Sequence, residues 1–562
     1  MGLVSCISAD GQFVSRPDLS PPRLNITIPA TEDVGDGYIF VCPYGGFKSG
    51  TGFDGPEQPA CYIFRDDGDL VWSSLGHLSG WVANIQARSF RGKPAITVYQ
   101  GAIDEFRGHG WGQATILNER YENVATIRAG NHKIMSIHEF NLLESNSALV
   151  EIYQPTPIDL TRFNGKKGAK WIVDAMFQGK LSMETGKLQQ GITQILTKSP
   201  KEIDVDTGDV LFEWSSLDHV SPTESVISLS SGYAGGGLNS RDAWDYFHLN
   251  SVEKDHHGDY LISGRHTSTV YKIDGKTGEI IWRLGGRHSN FSVPSETAFG
   301  FQHDARYLTD QPSDAHIHYI SLFDNAARSK GHQGNDTDSV HERSSAKILR
   351  LDTKTWQASV VKSVSSPDGL LALSQGNAQT LSNSNIFVGW GQAGAVTEFR
   401  ERDDKPIFHA YLDSGDIGYG VQSYRAFRFP WKGYPQETPA IVALLDESHG
   451  GGTSVHISWN GDTETATWKV YATSPSCTSS SWKWWPCQAR LLQEAKRAGF
   501  ETVVHVADEA VASGLSTVYA EAFNAEGHRL VKTAAVTASR RLRTYNSHSA
   551  QEQHIMVMDE LR

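Results

Sequence analysis

One strand-turn-strand unit recurs along the chain, and no other feature restricts the fold as much. It reads YIFRDDGDLVW (62–72), ATILNERYENVATI (114–127), EIDVDTGDVLFEW (202–214), VYKIDGKTGEIIW (270–282), ILRLDTKTWQASVV (348–361) and VTEFRERDDKPIFHA (396–410). Each copy sets apolar-polar alternation on both sides of a turn rich in Asp, Gly or Thr, residue types that suit a tight hairpin. Self-similarity of this kind marks a repeat architecture, in which each unit buries its face only against its neighbours.

Between the hairpins lies a second kind of segment, apolar but broken by His, Asn, Gln or Arg: GWVANIQAR (80–88), IMSIHEFNLL (134–143), YFHLNSV (246–252), FQHDARYL (301–308), SQGNAQTL (374–381) and SYRAFRFP (423–430). In a β-propeller the first strand of every blade lines a central channel, so these polar residues would converge on one funnel. The predicted fold is therefore all-β, a six-bladed β-propeller over residues 1–436. After FPWKGYPQETPA the pattern stops, and SVHISWNGDTETATWKVYAT (454–473), FETVVHV (500–506) and STVYAEAFNAEGHRL (516–530) read as a fibronectin-III-like β-sandwich over 437–543, with Trp468 and Tyr519 in its core. A helical pattern is read only in CQARLLQEAKRAGF (487–500), and residues 544–562 read as a solvated tail.

Composition fits this reading and excludes partners. The 562 residues exceed one ordinary core, and 53 Gly against 6 Met suit short strands and tight turns. A net charge of −13 repels phosphate backbones and anionic membrane surfaces, so no nucleic acid partner is expected. No apolar run reaches the length of a membrane span. Sequons at Asn25, Asn290 and Asn335, with two local cysteine pairs, Cys42 with Cys61 and Cys477 with Cys487, point to a glycosylated, secreted mature chain whose leader is not visible here; Cys6 is left over.

The histidines carry the chemistry. Four of the 22 fall in WDYFHLNSVEKDHHGDYLISGRHTST (244–269). His248 starts an inner strand, His256 and His257 sit in a solvent-facing turn, and His266, a further substrate-binding candidate, ends the following strand. Inward imidazoles at His138, His248 and His303, with Arg306, Arg425, Asn377 and Gln379, would form a cationic, hydrogen-bonding pocket suited to a phenolate, quinone or sulfate oxygen. Trp81, Trp244, Tyr246, Trp390 and Tyr424 are candidate walls that would stack a flat substrate. Adjacent His256 and His257 point to opposite faces, and no HExxH or CxxC pattern supports a metal. The Gly pair of KTGEIIWRLGG lacks a phosphate-loop context, and no GxSxG elbow occurs. No metal and no cofactor are expected.

The strings FHLNSVEKDHHGDYLISGRHTSTVYKIDGKTGEIIWRLGG, FQHDAR, LFDNA, SQGNAQTL, VGWG and SYRAFRFPW, with the opening FVSRPDLSPPRLNI, closely resemble the fungal arylsulfotransferase-like family over residues 12–435. Bacterial enzymes sharing that family name are propellers that move sulfate between phenols through a covalent histidine, without a nucleotide donor. The resemblance implies that His248 and His303 surround a substrate oxygen, with Arg306 and Arg425 clamping an anion. The late inner strands carry no His to match the nucleophile, and His409 lies on an outer hairpin. Similarity extends to the hetero-Diels–Alder cyclases of tropolonic sesquiterpene pathways. A cycloaddition needs no nucleophile, and orientation alone can supply about 7–11 kcal/mol. The leading expectation is thus a pericyclase acting on phenolic or quinone-methide-like small molecules, from polyketide or terpenoid sources, with His248, His303, Arg306 and Arg425 at the reacting oxygen. Aryl sulfotransfer and a non-catalytic secreted binding protein are the alternatives.

Overall fold

The computed structural model describes residues 11–45, 56–104, 107–143, 147–179, 202–204, 209–308, 316–329, 337–413, 420–446, 452–473 and 489–540. Asn335, Cys6, Cys477, Cys487 and the tail 544–562 lie outside them. The described residues are all-β, with helix limited to single turns such as Ser216–His219 and Glu509–Ala512, and none of their helices is long and apolar enough to cross a membrane. Two compact units are present, one built mainly of Pro17–Gln436 with Asn460–Thr463, the other of Phe13–Arg16, Glu437–Trp459 and the chain from Glu464.

In the first unit the recurring hairpins form antiparallel sheets in sequence order. Leu249–Lys254, Tyr260–Gly264, Thr269–Ile273 and Ile280–Gly285 make one four-stranded sheet; His303–Tyr307, Ile317–Asp324, Ser345–Asp352 and Gln357–Val364 make the next. Asn377–Thr380, Ile386–Gly389, Ala395–Phe399 and Pro406–Tyr411 follow, with Asn25–Ile28 added at the edge. Ala426–Phe429 pairs back onto Tyr38–Val41, so one sheet joins the two ends of the unit. A nine-stranded sheet holds Trp81–Phe90 through Asn123–Ile127 and Met135–Leu142 through Val210–Ser215, and its two halves meet by a single register pair, Met135 with Gly112. The disulfide Cys42–Cys61 ties the end of Tyr38–Val41 to the start of the strand it pairs with, Tyr62–Phe64.

Local chemistry explains these elements. The Asp274 carboxylate accepts from the Lys276 and Thr277 amides, and Gly278 takes φ +79°, which closes the IDGKTG turn; Asp352 does the same for Lys354 and Thr355. Middle strands such as Tyr260–Gly264 and Thr269–Ile273 are buried throughout, because sheets cover both faces. The outer Gln357–Val364 strand alternates instead. Large rings fill the spaces between sheets: Trp214, Phe247, Tyr246 and Tyr260 in one cluster, Phe323 and Trp390 in another.

Side-chain amides lock several of these strands to neighbouring chain segments. Asn84 donates to Ile137 O (2.6 Å), Asn250 to Gln302 O (2.8 Å) and Asn377 to Ala426 O (2.8 Å). Asn377 also accepts from the Ala426 amide, and Gln379 clasps Arg428 in the same two-bond way. These bonds saturate backbone groups that would otherwise be orphaned in the interior.

The second unit has a three-stranded sheet, Ala440–Asp446, Gly452–Ser458 and Glu501–Val506, and a four-stranded one, Arg490–Lys496, Thr467–Thr473, Thr517–Phe523 and Arg529–Lys532. Their apolar faces share one cluster that includes Trp468 and Val518. The helix expected in 487–500 is corrected: Arg490–Lys496 is a strand paired with Thr467–Thr473. Leu, Gln, Glu, Ala and Lys favour helix in isolation, but the open edge of the neighbouring strand supplies a ladder, and Lys469 pairs with Glu494 across it (3.1 Å).

Candidate functional site

His248 precedes the Leu249–Lys254 strand with φ 53°, a left-handed conformation rare for a residue with a side chain. Both backbone groups are held: its amide donates to Asp245 Oδ1 (3.0 Å), and its carbonyl accepts from the Arg265 amide (2.9 Å). The twist returns its Nδ1 to Asp245 Oδ2 at 2.5 Å. That same oxygen meets Nε2 of His109 at 2.9 Å. His109 arrives at the start of the His109–Asn118 strand, whose long hairpin with Lys93–Asp104 carries it there.

Further imidazoles surround this trio. His138 sits edge-on to His248 with ring centres 4.9 Å apart, and His266 lies 4.5 Å from His248. Tyr153 and Tyr424 pack edge-on against His138. His266 uses both ring nitrogens, Nδ1 toward Asp245 O (2.6 Å) and Nε2 toward Arg265 Nη1 (2.7 Å). His303 does likewise, with Asn325 Oδ1 at 2.6 Å and the Gln375 amide at 3.3 Å. The Gln375 amide can only donate, which fixes His303 as the Nδ1–H tautomer and leaves it no hydrogen to offer a substrate. The roles therefore divide: His266 and His303 have both ring nitrogens engaged, while His109, His138 and His248 each have one nitrogen tied to the protein.

Burial depresses the basicity of His138, His248, His266 and His303, with neighbouring cationic groups adding to it, so these rings are neutral at neutral pH. Burial alone would raise the Asp245 carboxyl, but His248, His266 and the bond from His109 hold it well below its ordinary range. Asp245 stays an anion that accepts from both His109 and His248. His248 then presents a lone pair at Nε2, making it a base or nucleophile. Glu151, 3.5 Å from His138 Nδ1, is pushed well above the usual carboxyl range by burial.

His109, Asp245 and His248 are also the group that could hold a metal ion, with ligand atoms all within 4.8 Å. The separations of 2.5 and 2.9 Å from the Asp245 oxygen are hydrogen-bond lengths. Ligands about 2.0–2.1 Å from a tetrahedral zinc sit about 3.3 Å apart, so an ion would have to open this trio.

Behind the histidines lies an ion-pair layer. Glu139 contacts Arg306 (2.6 Å) and Arg425 (3.4 Å), and Asp304 contacts Arg306 (2.7 Å) and Arg425 (3.5 Å). Arg425 Nη2 also donates to Asn250 O (2.8 Å). Arg306 and Arg425 are thereby engaged by protein carboxylates, which corrects the expectation of two free anion clamps. Several other expected site residues are also placed elsewhere. Asn377 and Gln379 clasp backbone, as above. Trp244, Tyr246 and Trp390 are buried between sheets, where Tyr246 donates to Val220 O and Trp390 to Thr397; Trp81 is half-buried against Tyr44 and Tyr99. Of the expected walls, Tyr424 alone touches the histidines. Of the sequons, Asn290 is exposed and Asn25 half-buried on an edge strand.

The sequence pattern does not single out His109, Asp245, Arg265 or Tyr153. Asp245 had a signal, a carboxylate three residues before His248 at a strand entry. His109, 136 positions from Asp245, had none.

The sequence model of the family described as Arylsulfotransferase (ASST) matches residues 86–193 and 187–411. The chain belongs to the arylsulfotransferase family. The matched segments of this arylsulfotransferase-family chain include His109, His138, Asp245, His248, His266 and His303. No curated protein matches the chain. Among solved structures, a Bacteroides caccae protein of unknown function is 10% identical over 70% of this chain and 100% of its own, at TM-score 0.35. A point mutant of the GH43 protein BlXynB from Bacillus licheniformis is 10% identical over 82% and 90%, at TM-score 0.26. Dihydro-heme d1 dehydrogenase NirN is 11% identical over 73% and 82%, at TM-score 0.28.

Proposed function

We propose that the first unit is a closed six-bladed propeller, followed by a fibronectin-III-like module, and that its histidine pocket transfers a sulfuryl group between phenols through His248. The observation that carries this is the Asp245–His248 pair: Nδ1–H given to a carboxylate leaves Nε2 nucleophilic, and burial keeps the ring neutral. Family membership supports the aryl substrate class. Nε2 attacks the sulfur of an aryl sulfate, the N–S bond forms as the S–O(aryl) bond breaks, and the aryloxide leaves to take a proton from solvent. The acceptor phenol then gives its proton to neutral His138 and attacks the same sulfur, the S–N bond breaks to restore the His248 lone pair, and His138 passes its proton to solvent, which balances the one the aryloxide took. The disulfide is compatible with a secretory route for the chain.

Intact-mass measurement with 4-nitrophenyl sulfate tests the step. An acid-labile sulfo-adduct on the peptide carrying His248, lost in His248→Gln, is the expected result. Phenol sulfation that persists in His248→Gln overturns it.

A second reading, hetero-Diels–Alder cyclisation, is favoured by one observation: the buried Tyr424 hydroxyl has no hydrogen-bond partner, and burial keeps it protonated. Such a donor beside His138 could polarise a quinone-methide carbonyl. Under this reading Tyr424→Phe lowers cycloadduct yield while His248→Gln spares it; the sulfotransfer reading expects the reverse order for sulfated product.

A further inference from the structure

A cavity of about 790 Å³ is lined by Asp304 and Arg306 of the ion-pair layer, by residues of Trp81–Phe90, Asn377–Thr380 and Ala426–Phe429, and by Ile317–Asp324 and Gln357–Val364 of one sheet, with none of the site histidines on its wall. Its volume is within the range of small-molecule sites. Three cations, Arg88, Arg306 and Lys362, and three carboxylates, Glu253, Asp304 and Glu401, line it, and the cations differ in their partners. Arg306 is held by Glu139 and Asp304, and Lys362 by Asp404 at 2.6 Å. Arg88 has no carboxylate within ion-pair distance among the described residues; its guanidinium meets the neutral Gln86 amide oxygen and lies 5.7 Å from the Phe429 ring centre.

We propose that this cavity binds a small organic anion with an aromatic body, its carboxylate- or sulfonate-type group on Arg88 and its ring against Phe429 and Phe427. A guanidinium with an open edge matches a planar or tetrahedral oxyanion by two parallel hydrogen bonds. The aromatic wall stacks what the anion carries. This site is separate from the histidine pocket and does not depend on the reaction proposed there.

Titration calorimetry of the full chain with 2-naphthoate tests it, with isosteric, uncharged 2-naphthamide as control. The expected result is binding to one site, at least tenfold weaker for 2-naphthamide, at least tenfold weaker in Arg88→Met, partly restored in Arg88→Lys and unchanged in His248→Ala. Equal binding of naphthoate and naphthamide by the unaltered protein overturns the proposal whatever Arg88→Met does to folding. So does no naphthoate binding, or naphthoate binding abolished by His248→Ala, which would place the anion among the histidines.

Discussion

The histidine pocket and the ion-pair layer behind it are both buried and both built from titratable groups, yet they handle charge in opposite ways. In the layer, Glu139 and Asp304 face Arg306 and Arg425, and each charge is offset by its neighbours. In the pocket, one carboxylate serves His109 and His248, the remaining imidazoles are neutral, and ring nitrogens of His138 and His248 are not used by the protein. Burial with charges paired holds strands together. Burial with lone pairs left over makes a reagent. The difference assigns Arg306 and Arg425 to scaffolding and His248 to chemistry, although all of them share the inner strands or their approaches.

The largest effect should come from breaking the layer. Arg425→Ala leaves Glu139 and Asp304 buried without one of their two guanidinium partners, and removing one member of a buried pair costs about 3–5 kcal/mol. Urea unfolding followed by fluorescence should show that loss. A change below about 1 kcal/mol would mean the layer is hydrated and the contrast with the pocket is weaker than drawn.

His248→Gln should do the opposite, lowering turnover roughly a hundredfold or more with the urea midpoint little moved. If it unfolds the protein as Arg425→Ala does, the Asp245–His248 pair is structural. Asn377→Ala probes the amide clasps and should cost about 1–2 kcal/mol, since it orphans the Ala426 amide, while phenol sulfation at saturating substrate stays near that of the parent.

How much of this was legible in the sequence follows from how local each signal is. The six hairpins could be read because alternation and turn chemistry lie within a dozen residues, as at Asp274–Gly278. The inner strands were visible because Asn250, His303 and Asn377 interrupt apolar runs. Tertiary pairing was not visible: nothing near His109 or Asp245 records that a long hairpin delivers the first to the second. Nor does sequence distinguish an inward amide that binds a ligand from one that clasps a neighbouring backbone, which is why Asn377 and Gln379 were assigned to a site they do not serve. Arg490–Lys496 shows the same limit in reverse, its helix-forming composition overridden by an open strand edge.

Acid should separate the two regions with the smallest perturbation. His138, His248, His266 and His303 have depressed folded-state values, so below about pH 6.5 the unfolded chain takes up protons that the folded chain refuses. The unfolded state then binds more protons, and stability falls as the pH drops from about 6.5 toward the folded values. Glu151 and Glu253, raised by burial, act the other way, as do Asp174 and Glu398, so the decline is what the histidines contribute beyond them. In the layer, Asp304 is held low by Arg306 and Arg425 against the effect of burial, so its contribution is present above about pH 3.9 and is lost only below it. Thermal melts between about pH 8 and 5 should therefore decline below about 6.5, with half-buried His318 and buried His409 adding to the four clustered histidines. Replacing exposed His256 and His257 with Gln should leave that decline intact, whereas His303→Gln should flatten it. A decline that begins only near about pH 4 would mean that the pocket histidines are hydrated and protonate freely, and their neutrality, on which the nucleophilic role of His248 depends, would be lost.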